Sequence, residues 1–114
     1  MVNTVLIVDD HAGFRRFAKR LLEAGGLTVI GEAHDGASAV AATRELGPDV
    51  VLLDVKLPDG DGFAVAGEIA RTAAVVLTSS HEVDDLRTRL ANTPARGFIS
   101  KDDLSAEALV SVAR

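Results

Sequence analysis

The chain has 114 residues, 47% of them hydrophobic and 25% charged, which suits a single globular domain and excludes an intrinsically disordered chain. It has no cysteine, a formal net charge of -5 and 12 scattered basic residues, which disfavours disulfides, thiolate metal sites and a nucleic-acid surface. No apolar run approaches the roughly 20 residues that cross a bilayer and no export signal is recognisable, so we expect a cytoplasmic protein without membrane contact.

Five segments have the composition of β-strands. In chain order they are Thr4–Val8, Thr28–Ala33, Val50–Leu53, Ala74–Leu77 and Gly97–Ile99. The first, third and fourth are continuously apolar, which is typical of central parallel strands covered on both faces. The second and fifth are less uniformly apolar, which indicates strands at the borders of the sheet.

An apolar stripe with helical spacing follows each strand. The stripes consist of Phe14, Phe17, Ala18, Leu21 and Leu22; Ala37, Val40 and Ala41; Ala66, Ile69 and Ala70; Val83, Leu86 and Leu90; and Ala108, Leu109 and Val112. Gly25-Gly26 ends the first helix, and Ser105 is the predicted N-cap of the fifth. Strand and helix alternate five times, which predicts one α/β domain over residues 1–114, with a mainly parallel sheet and helices on both faces.

Polar residues follow four of the predicted strands, where ligand sites of such sheets form. They are Asp9-Asp10, Asp54, Thr78-Ser79 and Lys101. Helix capping would explain any one of them, but residues 55–62 are predicted to form a loop, so no helix begins directly after Asp54. Three neighbouring carboxylates also repel one another unless a cation lies between them. We therefore predict that Asp9, Asp10 and Asp54 bind Mg²⁺, with the backbone carbonyl of Lys56 as a further ligand.

A carboxylate beside Mg²⁺ is suited to phosphoryl transfer, which needs a positioned nucleophile and neutralisation of charge. We expect Asp54 to be the nucleophile. Lys101 would pair with a phosphoryl oxygen, and the Thr78 hydroxyl would hydrogen-bond another after transfer. Taken singly, Lys101 and Thr78 are better explained as an exposed lysine and a strand-end threonine than as functional residues.

These residues resemble the receiver domains of two-component response regulators over essentially the whole chain. Val8-Asp9-Asp10 is similar to the family's acidic pair, Leu53-Asp54 with Leu57-Pro58 and Asp61-Gly62 to its phospho-acceptor segment, Thr78 to its switch hydroxyl and Lys101 to its lysine. The resemblance implies a flavodoxin-like (CheY-like) sheet in the order 2-1-3-4-5 with five helices. It also implies a phosphorelay signalling domain, rather than an enzyme, that receives its phosphoryl group from a sensor histidine kinase and binds Mg²⁺.

Asp9-Asp10-His11 with Phe14-Arg15, and Lys101-Asp102, resemble the NarL/LuxR-type subgroup, whose members usually carry a C-terminal helix-turn-helix. We therefore expect a piece of a longer transcriptional regulator that contacts DNA only through a domain absent from this chain. A free-standing receiver and a phosphorylation-dependent homodimer stay open. Phe98 matches the family's aromatic switch position, although ordinary core packing explains it equally well.

Some residues depart from the family or lie outside its motifs. Pro94 stands where many receivers have glycine before the fifth strand, and Asp102 stands where proline is frequent. Pro94 is expected to stiffen or shorten the end of the fourth helix, which puts the switching surface, more than the chemistry, in doubt. The three histidines (His11, His34 and His81) are interpreted as helix-start or surface residues rather than ligands. Asp59 and Asp61 are interpreted as solvated loop acids.

Three alternatives remain. A haloacid dehalogenase-type phosphatase also uses a strand-end Asp and Mg²⁺. Its motif is Asp-x-Asp, however, and this chain has Lys56 where the second Asp would stand. A flavodoxin-type flavin carrier normally offers aromatic side chains, whereas this chain has no Trp or Tyr and four Phe. The third alternative is an atypical receiver that acts as a phosphorylation-independent dimerisation module.

Overall fold

The computed structural model describes residues 2–114, and its centre is a five-stranded parallel sheet. The strands are β1 (Thr4–Val8), β2 (Thr28–Ala33), β3 (Val50–Asp54), β4 (Ala74–Ser79) and β5 (Gly97–Ser100). The helices are α1 (Ala12–Ala24), α2 (Gly36–Leu46), α3 (Gly62–Ile69), α4 (Leu86–Ala91) and α5 (Ala106–Ala113). The strand order is β2-β1-β3-β4-β5, which confirms the predicted fold and topology.

The sheet separates two hydrophobic clusters. Along β1, Leu6 and Val8 face one cluster, while Val5 and Ile7 face the other. Helices α2 and α3 cover the first cluster, and α1 and α5 cover the second. Because both faces are covered, Val5, Leu6 and Ile7 are completely buried, which explains the continuous apolar run. Each such side chain contributes about 1.5–3 kcal/mol through burial.

Two of the predicted helical stripes are wrong in part. In α1, Ala18 and Leu22 are buried and Phe14 and Leu21 pack partly buried against the same cluster, as predicted, whereas Phe17 is 55% exposed. Phe17 lies about 100° around the helix from Ala18, outside the narrow face that reaches the sheet. In α2 the inward positions are Ala39 and Thr43 with Val40 partly buried, rather than Ala37 and Ala41, which are exposed. Thr43 can be buried because its hydroxyl donates to the carbonyl of Ala39 at 2.7 Å.

Helix α4 is shorter than its predicted stripe. It begins at Leu86, so Val83 lies in the segment before it, and every residue of α4 is exposed or half-buried. Asp85, which precedes the helix, has the left-handed φ of 56° that a non-glycine residue rarely adopts. Because no residue of α4 is fully buried, little packing holds this helix. The predicted N-cap of α5 is confirmed, since the Ser105 hydroxyl accepts a hydrogen bond from the amide of Ala108 at 3.0 Å.

The segment after β3 was expected to be a loop, but it forms a small antiparallel hairpin. Lys56–Leu57 pairs with Gly60–Asp61, and α3 begins directly after it. Asp59, in the hairpin turn, accepts hydrogen bonds from the first two amides of α2 at 2.8 and 3.1 Å. Asp61 caps α3 by accepting from the amide of Phe63. The interpretation of both acids as solvated loop residues is therefore incomplete, because each also holds a helix N-terminus.

Among residues 2–114, none of the helices combines the length and apolar character that crossing a membrane requires.

Candidate functional site

The polar residues predicted at the strand ends meet at one edge of the sheet. Asp9 follows β1 and is completely buried, and Asp54 ends β3 with 5% of its surface exposed. Thr78 of β4 is the register partner of Asp54. Lys101 begins a short 3₁₀ turn directly after β5. The structure thus brings together residues that are far apart in the sequence, from Asp9 to Lys101, because parallel strands end at the same edge of the sheet.

Lys101 joins the two buried acids. Its Nζ lies 2.6 Å from Oδ2 of Asp9 and 3.1 Å from Oδ2 of Asp54. The ammonium also lies 4.3 Å from the centre of the Phe14 ring, a cation–π contact. The lysine side chain is 12% exposed, so these contacts are shielded from solvent. The interpretation of Lys101 as a simply exposed residue is wrong.

The two acids respond differently to their surroundings. Burial opposes ionisation of Asp9, but hydrogen bonds from Lys101 and from the amide of His11 outweigh it and lower the pKa of Asp9. For Asp54, burial is the largest effect and raises the pKa of its carboxyl, despite the hydrogen bond from the amide of Lys56. Burial opposes the charge on Lys101 too, yet its hydrogen bonds to the two acids raise its pKa. The lysine therefore remains a cation near neutral pH.

A cluster with the chemistry of a metal site lies at the same edge. Asp9, Asp10, His11 and Asp54 each offer one ligand atom, and these atoms all lie within 4.8 Å of one another. The three predicted carboxylates are thus close together. His11 begins α1 as its N-cap and its side chain is 73% exposed, as a helix-start surface residue should be. Its position beside two acids was not recognised in the sequence, although adjacency to Asp9-Asp10 was the available signal.

The Asp54 carboxylate is oriented by two contacts. Its Oδ1 accepts a hydrogen bond from the backbone amide of Lys56 at 3.0 Å, and its Oδ2 faces Lys101. Asp10, Asp54, Lys56 and Lys101 line a cavity of about 790 Å³ at this edge of the sheet. The metal-binding role of the Lys56 carbonyl stays a prediction.

Thr78 and Phe98 occupy positions compatible with the predicted switch. The Thr78 hydroxyl is fully buried and has no hydrogen-bond partner within the described part of the chain. A buried hydroxyl without a hydrogen bond lowers the stability of the fold. A group that forms a hydrogen bond with the Thr78 hydroxyl would therefore bind favourably there. Phe98 in β5 is half-buried and packs against the cluster beneath α3. Its role as a switch stays a prediction.

Arg15 supports the acidic pair and was not identified as a functional residue. Its Nη1 donates to the backbone carbonyl of Asp9 at 2.7 Å, and its Nε pairs with Oε1 of Glu32 at 2.9 Å. The arginine therefore links α1 to the ends of β1 and β2. The arginine lies five positions after the acidic pair, but nothing in the sequence shows that it reaches back to a carbonyl.

Fold and site together define a CheY-like α/β domain with an acidic, lysine-containing pocket at the carboxyl edge of its sheet. The family profile described as "Response regulator receiver domain" matches residues 5–114. The chain belongs to this family.

Individual relatives agree with the NarL/LuxR-type subgroup. The response regulator GacA of Pseudomonas viridiflava is 37% identical over 112 residues, which are 95% of this chain and 52% of that protein. The signal receiver domain of NarL from Mycobacterium tuberculosis superposes with a TM-score of 0.86 at 33% identity, over 98% of this chain and 96% of that one. A chain of the CheX-CheY-BeF3-Mg²⁺ complex from Borrelia burgdorferi has a TM-score of 0.82 at 26% identity, over 96% and 85%. The chain spans about half the length of the curated relatives it matches.

Proposed function

We propose that this chain is the phosphoryl-accepting switch of a two-component phosphorelay, with Asp54 as the acceptor and transcription as the output. The observation that carries the proposal is the placement of Asp54. It ends β3 at the open edge of the sheet, with one carboxylate oxygen held by a backbone amide and the other 3.1 Å from an ammonium. If Asp54 only capped a helix or formed a structural ion pair, it would not need to line an open cavity, as it does here.

In the proposed reaction, Oδ2 of Asp54 forms a bond to phosphorus while the bond between phosphorus and the imidazole nitrogen of a kinase phosphohistidine breaks. Burial favours this step because it raises the pKa of Asp54 and makes the carboxylate a stronger nucleophile. Lys101 is already beside that oxygen, so its ammonium can shift to a phosphoryl oxygen and neutralise part of its charge. The chain would assist its own phosphorylation and dephosphorylation without being an enzyme.

The chemistry of the donor set fits Mg²⁺. Carboxylate oxygens are the ligands that Mg²⁺ prefers, and those of Asp9, Asp10 and Asp54 lie close enough together to share one ion. We propose that these residues hold the ion, together with the predicted carbonyl of Lys56. When bound, Mg²⁺ would neutralise charge on the phosphoryl oxygens and reduce the repulsion between the acids.

The buried Thr78 hydroxyl supports the proposed switch. Thr78 is the register partner of Asp54 on the neighbouring strand and lacks a hydrogen-bond partner among the described residues. A phosphoryl oxygen on Asp54 would supply one, which draws the threonine towards the site and leaves room for Phe98 to turn inward. The surface of β5 and of the weakly packed α4 would then change.

The relatives suggest the setting. We propose that the chain is the receiver domain of a longer cytoplasmic regulator with a C-terminal helix-turn-helix, because the similar proteins of which it covers about half are response regulators and transcriptional regulators. A sensor histidine kinase would be its phosphoryl donor. Phosphorylation would promote a homodimer, and DNA would be contacted only through the other domain.

The acceptor is tested by the intact mass of the protein after incubation with acetyl phosphate and Mg²⁺. We expect the mass of one added phosphoryl group in the wild type and in Asp103→Asn, an exposed acid outside the site, and no addition in Asp54→Asn. Lys101→Met should slow phosphorylation by about 100-fold, the usual effect of removing one charge-stabilising donor. Phosphorylation of Asp54→Asn would contradict the proposal.

The size of the protein with and without beryllium fluoride separates a switch from a constitutive dimerisation module. We expect beryllium fluoride to increase self-association of the wild type and not of Thr78→Val. A dimer of equal strength in the wild type, with or without beryllium fluoride, and in Asp54→Asn would favour the phosphorylation-independent module.

A further inference from the structure

The acidic cluster contains a nitrogen donor as well as carboxylates. Nδ1 of His11 lies 3.0 Å from Oδ1 of Asp10 and 3.2 Å from Oδ1 of Asp9. A ring nitrogen and two carboxylate oxygens approach this closely only when a hydrogen or a cation lies among them. A metal ion bound by the two carboxylates would therefore lie within reach of the imidazole nitrogen.

Helix capping does not explain the orientation of this imidazole. His11 is the N-cap residue of α1, but within the described chain its side chain makes no capping hydrogen bond. Its backbone amide instead donates to Oδ1 of Asp9 at 2.8 Å. The extended backbone at His11, with φ of -94° and ψ of 109°, places the ring beside the acidic pair rather than over the first turn of the helix.

The contacts of Asp9 leave this side of the cluster available to a metal ion. Lys101 lies against Oδ2 of Asp9, whereas His11 lies against Oδ1. An ion bound by Oδ1 of Asp9, Oδ1 of Asp10 and the imidazole therefore need not displace the lysine. His11 is 73% exposed and can adjust its ring without disturbing the core.

We propose that His11 is a direct ligand of the divalent ion and shifts the preference of this site from Mg²⁺ towards nitrogen-binding transition ions such as Mn²⁺ and Ni²⁺. The inference rests on the proposed function, since it concerns the same metal site. Mg²⁺ selects oxygen ligands and keeps several of its waters, so an imidazole adds little to its binding. Transition ions accept imidazole readily, and their affinity increases from Mn²⁺ to Ni²⁺.

The direct test is pulsed electron paramagnetic resonance of Mn²⁺ bound to the purified chain. We expect electron spin-echo modulation from a directly bound ¹⁴N nucleus in the wild type and its loss in His11→Ala. His34→Ala is the matched control, because His34 is similarly exposed and also lies beside an acid, Asp35, at 3.4 Å. This control should keep the modulation. Modulation that persists in His11→Ala would overturn the inference.

Calorimetric titration supplies the second measurement. His11→Ala should weaken Ni²⁺ binding by at least about tenfold while changing Mg²⁺ binding by less than about threefold. An equal ratio of Ni²⁺ to Mg²⁺ affinity in the wild type and in His11→Ala would also refute the role of His11. If Mg²⁺ still binds and Asp54 is still phosphorylated in that case, only this inference fails. If the wild type binds neither ion, or Asp54→Asn is phosphorylated like the wild type, the proposed function itself fails.

Discussion

Gly62, the first residue of α3, packs against the backbone of the proposed phospho-acceptor. A Cβ at this position would overlap the carbonyl oxygen of Asp54 and lie 2.9 Å from the Cα of Val55. The amide of Gly62 donates to the carbonyl of Val55 at 2.7 Å, which keeps the two segments together. Because the atoms in the way belong to the backbone, a rotamer change cannot relieve the overlap.

Gly67→Ala is a matched control within the same helix. A Cβ at Gly67 would meet nothing within 4 Å in the described structure. Both substitutions remove a flexible glycine from a helix, which is worth about 0.5–1 kcal/mol in favour of the variant. Only Gly62→Ala adds an overlap, and overpacking of this kind costs about 1–3 kcal/mol. The shared helix contribution largely cancels in the difference, so Gly62→Ala should be less stable than Gly67→Ala by about 1–3 kcal/mol.

Urea unfolding followed by far-ultraviolet circular dichroism measures this difference. We expect the midpoint to increase in Gly67→Ala and to decrease in Gly62→Ala. Gly62→Ala should also be phosphorylated more slowly under native conditions, because relief of the overlap displaces the end of β3. If the two variants had equal free energies of unfolding, the close approach at Gly62 would not constrain Asp54 and the reasoning would be refuted.

Three further predictions concern the surface and the helix ends. Phe17→Ser should change the free energy of unfolding by less than about 0.5 kcal/mol, because most of the Phe17 side chain is exposed. The buried control Leu22→Ala should cost about 2–5 kcal/mol. Equal losses of stability in urea unfolding would place Phe17 in the core. Hydrogen bonds led by that from the amide of Thr4 lower the pKa of Asp49, so this carboxylate adds stability above its unfolded pKa of about 4 and loses it as the pH falls through the folded value. Asp49→Asn should therefore show a shallower loss of thermal stability on acidification, and an identical pH profile would contradict this. Asp59→Ala removes both hydrogen bonds to the N-terminus of α2 and should lower the free energy of unfolding by about 1 kcal/mol. If urea unfolding of this variant were unchanged, the capping role of Asp59 would be excluded.

The strands were predictable because both faces of the sheet are covered. Residues Val50–Leu53 are all completely buried, so selection for apolar side chains acts at every position and the run is unmistakable in the sequence. The strand order was not predictable from periodicity. It followed from the resemblance of the strand-end motifs to a known family, and the observed order agrees with it.

The helical stripes were less reliable where small residues dominate. In α2, alanines occupy positions 37, 39, 41 and 42, so hydrophobic spacing alone does not determine which of them face the sheet. The burial of Ala39 and Thr43 depends instead on how α2 packs on the sheet, with its N-terminus held by the capping box of Asp35 and Ser38 and by Asp59. In α4 the apolar stripe was continued too far towards the N-terminus, because Val83 packs on the core from an irregular segment.

The acids of the candidate site were predictable from their positions at strand ends, but their partners were not. The contacts of His11 and Arg15 depend on how the start of α1 is oriented against β1, and those of Asp59 on a hairpin that no periodic pattern indicates. Short-range sequence patterns do not contain this information. It arises when segments distant in the chain pack together.

The contacts of Asp54 give its two oxygens different roles under the proposed function. Oδ1 is held by the Lys56 amide, so the carboxylate cannot rotate without losing that hydrogen bond. Oδ2 is therefore the oxygen presented to Lys101 and the one that would carry the phosphoryl group. Because Lys101 also contacts Asp9, its movement towards a phosphoryl oxygen would weaken an ion pair within the metal site. Occupation of the metal site and phosphorylation should therefore influence each other through this one ammonium, in addition to any contact between the ion and the phosphoryl group.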